Sequence, residues 1–228
     1  MKDSFFKSEV RVGEEDDRIN FIKKVYSICA AMILFTVFIV SLVFVVDGLH
    51  PWMMENLWLH YLCIFITLGI AIALICCKKC ARKVPNNYIL LFAFTLFESY
   101  MVAGICGLYS EAPEIVLMAA VTTLILFLGL TFFACTCKSL KLDLCWALGM
   151  GLSLAFFPLI LWFILFPSKA LYNVICAFGV VIFSIYIVFD TRMIMQVLDL
   201  DEYAIGALMI YIDLIQLFLY ILQLFGSN

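Results

Sequence analysis

Three acidic side chains, Glu98, Asp190 and Asp213, stand inside long apolar stretches of the sequence. A carboxylate within a membrane-crossing helix costs several kcal/mol unless it is paired or hydrated, so each is a functional candidate. Two carboxylates in one low-dielectric site cannot both ionise cheaply, so such a pair shares a proton and titrates as a unit. Deprotonated, it becomes a hard oxygen site suited to a divalent cation such as Ca²⁺ in transit. The plainer alternative is that each carboxylate caps a helix or binds a neighbouring hydroxyl. For Asp190 the adjacent Thr191 and Arg192 favour that alternative.

Positioning these groups at one depth requires helices that cross a bilayer. Of the 228 residues, 66% are hydrophobic and 14% charged, and the mean hydropathy is +1.14, outside the range of water-soluble domains. A hydrocarbon core of about 30 Å takes about 20 helical residues to cross. Apolar runs of that length occur at 25–46, 57–77, 87–108, 113–135, 143–166, 170–198 and 203–225, separated by short charged or proline-bearing breaks. The expected fold is an all-α polytopic membrane protein of seven transmembrane helices occupying 21–228. Residues 1–20, with Glu14-Glu15-Asp16-Asp17 in a row, are expected to form a disordered cytosolic tail. They lack the apolar core of a cleaved signal peptide, so the first run is expected to remain as an anchor.

Helix rise converts spacing into depth. The sixth and seventh runs form a hairpin turning near Leu200, which puts Asp190 and Asp213 about 15 and 20 Å from its tip. Glu98 lies about 16 Å beyond Asn87, where the third run begins. Three carboxylates from three helices are therefore expected to converge on one level.

The positive-inside rule orients the chain. With a cytosolic N terminus, all but one of the 14 basic residues fall on the cytosolic side, Lys169 being the exception. The neutral C-terminal Gly226-Ser227-Asn228 leaves a seventh crossing and a re-entrant last helix equally compatible with that rule. The ten cysteines sit mostly in apolar runs or face the cytosol, so no disulfide framework is expected. Cys76, Cys77 and Cys80, among lysines, suit S-palmitoylation. His50 and His60 stand apart from the cysteines, which argues against zinc. No nucleic-acid signature is present, and no cofactor is expected.

Phe189-Asp190-Thr191, then Asp201-Glu202-Tyr203, then Leu208 to Phe218 around Asp213, and finally Leu222-Gln223-Leu224-Phe225-Gly226 resemble the signature of the Bax inhibitor, or transmembrane BAX-inhibitor-motif, family. Phe21 to Ile28 and Phe94 to Glu98 are similar to that family's first and third helices. The resemblance covers about residues 21–226 and is nearest to the Lifeguard and Golgi anti-apoptotic branches. It implies six helices around a hydrophobic C-terminal helix. It also implies a pH-sensitive Ca²⁺ leak in an endoplasmic reticulum, Golgi or endolysosomal membrane, with suppression of cell death through apoptosis-related membrane proteins. Asp190 and Asp213 would be the gate dyad and transient Ca²⁺ ligands, with Glu98, Asp201 and Glu202 as pore or supporting carboxylates. A basic residue at the end of the second helix, from Lys78, Lys79 and Arg82, would latch one aspartate. A lysine at 78 or 79, where bacterial members carry arginine, would be a weaker, monodentate latch.

Two other classes compete with this reading. An intramembrane aspartyl protease also pairs aspartates on its sixth and seventh helices, but Tyr211-Ile212 stands where that family needs Gly-x-Gly, and no Pro-Ala-Leu segment follows. The chain is therefore expected not to be an enzyme. A non-conducting adaptor would use the carboxylates only as glue between helices and act by binding partners.

Overall fold

A computed structural model describes residues 2–77, 81–136 and 142–227, with side chains described for these apart from 2–14 and 142–146. All its regular structure is helical: α1 (Lys2–Val45), α2 (Leu49–Glu55), α3 (Leu57–Cys76), α4 (Asn86–Gly107), α5 (Pro113–Thr136), α6 (Leu142–Leu165), α7 (Lys169–Gln196) and α8 (Tyr203–Gly226). Seven of these are long and apolar enough to cross a membrane, and they coincide with the seven apolar runs. The eighth, α2, is a short helix in the loop after α1, and Gly48 precedes it with a φ of 83°. That left-handed conformation is the one glycine adopts without a Cβ penalty.

Helix α1 begins at Lys2, well ahead of its apolar run, so the stretch expected as a disordered tail is helical here. Arg18 ties its last part to the bundle by donating from Nη1 to the carbonyls of Leu198 at 2.6 Å and Ile194 at 3.4 Å. Ile194 is in the last turn of α7, where the helix leaves acceptors without internal donors, and Leu198 lies two residues beyond its end.

Helix α8 is the axis of the bundle. It is the most deeply buried of the seven spans and packs against α1, α3, α4, α5 and α7, while Tyr220 meets Phe156 of α6 edge-on. It is unbroken from Tyr203 to Gly226, about 36 Å at 1.5 Å per residue, long enough to cross fully. Helices in lipid gain no hydrophobic drive from pairing, so close packing and interhelical hydrogen bonds must hold them. Ala204, Gly206 and Ala207 supply the first, being small and buried. A Cβ on Gly206 would already touch Ile194, Leu198 and Val25. Buried polar pairs supply the second: Asn87 donates to the Tyr203 hydroxyl at 2.7 Å, and Tyr172 donates to Gln223 at 3.0 Å.

Candidate functional site

Asp190 sits in the last third of α7 and Asp213 in the middle of α8, and both are buried, at 7% and 5% exposure. Their carboxyl groups face one another within reach of a hydrogen bond. A carboxylate has only acceptor oxygens, so such a bond needs a proton on one partner. The second oxygen of Asp213, Oδ2, is buried with no hydrogen-bond partner. Among the described residues no group of three metal-ligating side chains gathers. Since Ca²⁺ takes six to eight oxygens, two carboxylates suit a passing, largely hydrated ion rather than a resident one.

Hydroxyls brace the helices beside the pair. Thr191, next to Asp190, lies 3.1 Å from the Tyr26 hydroxyl on α1. Cys29, one turn along α1 from Tyr26, is an electrostatic neighbour of Asp213. A second cluster joins α1, α4 and α8: Thr36 Oγ1 lies 2.9 Å from Ser99 Oγ and 2.8 Å from the Tyr211 hydroxyl. Ser99 and Thr36 also donate to the carbonyls one turn back, of Thr95 and Met32. None of these hydroxyls stands out in the sequence, because Ser, Thr and Tyr are ordinary in apolar helices. The available signal is positional, since Tyr211 lies one turn from Ala207 and Leu214 on the buried face of α8.

Glu98 is brought to the neighbourhood of α8. It acts electrostatically on Cys63 of α3 and on Tyr211. Cys29, in turn, is an electrostatic neighbour of both Tyr211 and Asp213.

Asp201 and Glu202 lie in the turn between α7 and α8 and engage Arg82. Arg82 contacts Asp199 Oδ2 at 2.7 Å, Glu202 Oε1 at 2.7 Å and Asp201 Oδ2 at 3.2 Å. Glu202 Oε2 accepts from the Asp199 backbone N–H at 3.2 Å. The hydrogen bond to Glu202 is the main cause raising the Arg82 pKa above its ordinary value. For Glu202, burial works against the charge, but the bonds from Arg82 and the Asp199 amide outweigh it and hold the carboxyl below its usual range. Of the three candidate latch residues, Arg82 thus clasps the turn joining the aspartate-bearing helices, and Lys78 and Lys79 lie outside the described residues. Lys24 adds to the clasp, with Nζ 3.3 Å from the centroid of the Tyr203 ring. Arg192, two residues from Asp190, is a buried cation at 4% exposure, with Nε and Nη2 unpartnered.

The family profile described as Inhibitor of apoptosis-promoting Bax1 matches residues 18–228, which is nearly the whole chain. The chain belongs to the Bax inhibitor family. Among its relatives, Bax inhibitor 1 of Schizosaccharomyces pombe is 34% identical over 229 residues, covering 97% of this chain and 82% of the relative. The Golgi anti-apoptotic protein of vaccinia virus (strain Lister) is 31% identical, covering 98% and 92%. Protein lifeguard 3 of Homo sapiens is 28% identical, covering 95% and 72%. The family membership and the seven apolar helices make this a multi-pass membrane protein. Within this Bax inhibitor fold, the two paired aspartates come from the helices that bound the final hairpin.

Proposed function

We propose that this protein is a pH-sensitive calcium leak of an intracellular membrane that restrains cell death, gated by the Asp190–Asp213 pair. The observation that carries the reading is the approach of two buried carboxyl groups on adjacent membrane-crossing helices. A shared proton lets such a pair bond. Losing it leaves two like charges that repel across α7 and α8 and together attract a divalent cation. Acidification therefore favours the closed, bonded pair, and rising pH favours separation and passage of Ca²⁺. The names of the relatives support restraint of apoptosis, and that of the vaccinia relative points to the Golgi.

Ca²⁺ entry into liposomes holding the purified protein, followed by an enclosed indicator across a pH series, tests the proposal. Asp213→Asn keeps the shape but removes a titrating group and a cation ligand, so it lowers flux and flattens its pH dependence. Asp190→Asn flattens the dependence as well. Wild-type flux in both variants at every pH would make the pair structural and favour a non-conducting adaptor.

A further inference from the structure

Helices α1 and α5 enclose a groove of about 700 Å³ whose floor is formed by α8 residues such as Leu214. The two helices approach at one end, where the Tyr26 and Phe127 rings lie 6.4 Å apart, and elsewhere they stand apart. Along α1 the groove runs from Tyr26 to Phe44, about 27 Å at 1.5 Å per residue. That length is most of the thickness of a hydrocarbon core of about 30 Å.

The lining defines the occupant. Ala30 and Val37 of α1 and Leu117 and Ala120 of α5 are exposed apolar walls. The hydroxyls that reach the groove are already engaged: Tyr26 with Thr191, Thr36 with the Met32 carbonyl, Ser41 with the Phe38 carbonyl and Thr123 with the Ala119 carbonyl. Nothing inside it selects a polar ligand, so it takes an extended methylene chain. Its Tyr26 end carries a charge, because Lys23 is exposed and lies one helical turn before Tyr26 on the same face as Ala30. An ammonium on the same lipid-facing side, one turn beyond the end of an apolar groove, complements a phosphate with an acyl tail.

We propose that the α1–α5 groove is a binding site for an anionic phospholipid of the leaflet on the Lys23 side, with one acyl chain in the groove and its phosphate at Lys23. Cys29 lines the groove and neighbours Asp213. The bound chain therefore forms a dry wall one side chain away from the aspartate pair. This site does not depend on ion conduction, and its test does not use flux.

The protein in nanodiscs of phosphatidylcholine is doped with photoactivatable diazirine-acyl phosphatidylglycerol, irradiated and mapped by peptide mass spectrometry. Labels are expected to concentrate on the groove faces of α1 and α5, and to be competed by unlabelled phosphatidylglycerol but not by phosphatidylcholine. Ala120→Trp fills an exposed position in the groove and abolishes this labelling, while Leu62→Trp, on the exposed face of α3, leaves it intact. Lys23→Gln removes the preference for the anionic competitor. Thermal melts confirm that each variant is folded. Labelling spread evenly over all lipid-facing helices, or unchanged in folded Ala120→Trp, would overturn the site. An unchanged headgroup preference in Lys23→Gln would overturn the assignment of the phosphate.

Discussion

Replacing Tyr211 by Phe deletes one hydroxyl from the cluster that ties α8 to α1 and α4. Thr36 still donates to the Met32 carbonyl and Ser99 to the Thr95 carbonyl, so no buried donor is orphaned. The expected loss is therefore that of one interhelical hydrogen bond, about 0.6 kcal/mol and at most about 1.7, read as a small fall in unfolding free energy in detergent. Glu202 makes a different prediction because its carboxyl is held below the ordinary range in the folded state. Such a group contributes stability that is complete above its unfolded pKa and is lost as pH falls through the folded value. Lowering the pH through the acid carboxylate range should release Arg82 from Glu202 and lower the melting temperature. Glu202→Gln should start lower at neutral pH and fall less on acidification. Parallel curves for the two proteins would mean that Glu202 does not couple to folding.

At the scale of elements, the relation between α7 and α8 decides whether the aspartates meet. Gly179 of α7 lies flat against the Tyr220 ring of α8, and a Cβ there would come within 2.6 Å of it. Gly179→Val should therefore force the two helices apart at a cost of about 1–3 kcal/mol and weaken the Asp190–Asp213 bond as well. Gly151 on α6 has open space around its Cβ position, so Gly151→Ala should change stability by less than about 0.5 kcal/mol. Equal melting temperatures for the two variants would argue against this contact as the fixed point between α7 and α8. The turn between these helices is clamped from outside by Arg18 and Lys24 of α1 and by Arg82. The hairpin thus depends on residues far from it in sequence, which is why spacing within 190–213 does not describe the whole site.

For the whole molecule, the asymmetry of Lys and Arg predicts that Asn86 lies on the same side of the membrane as the N terminus and Glu111 on the other. Single cysteines at these positions in a cysteine-free background should react with a membrane-impermeant maleimide from opposite sides. Equal reaction of both positions from the cytosolic side would sink this assignment. Packing is also asymmetric. Helix α6 is the least buried span and packs chiefly on α7, with Ser153 and Tyr186 at 2.6 Å as a polar contact, whereas α8 is enclosed.

The sequence by itself determined the number of crossings, their limits within a few residues, the family and the place of Asp190, Asp213 and Glu98 along their helices. Each is a one-dimensional property: hydropathy and rise per residue accumulate along the chain whatever its neighbours are. Only the tertiary structure decided which of those carboxylates meet. That depends on the rotation of each helix about its own axis and on which helices are adjacent, so Asp190 meets Asp213 and Glu98 neighbours Tyr211. It also decided that Arg82 clasps the acidic turn, and that α1 and α5 stand apart as a groove. Packing in lipid is set by side-chain shape and scattered hydrogen bonds rather than by hydrophobic periodicity. A chain apolar on nearly every helix face carries little trace of those contacts in its order of residues.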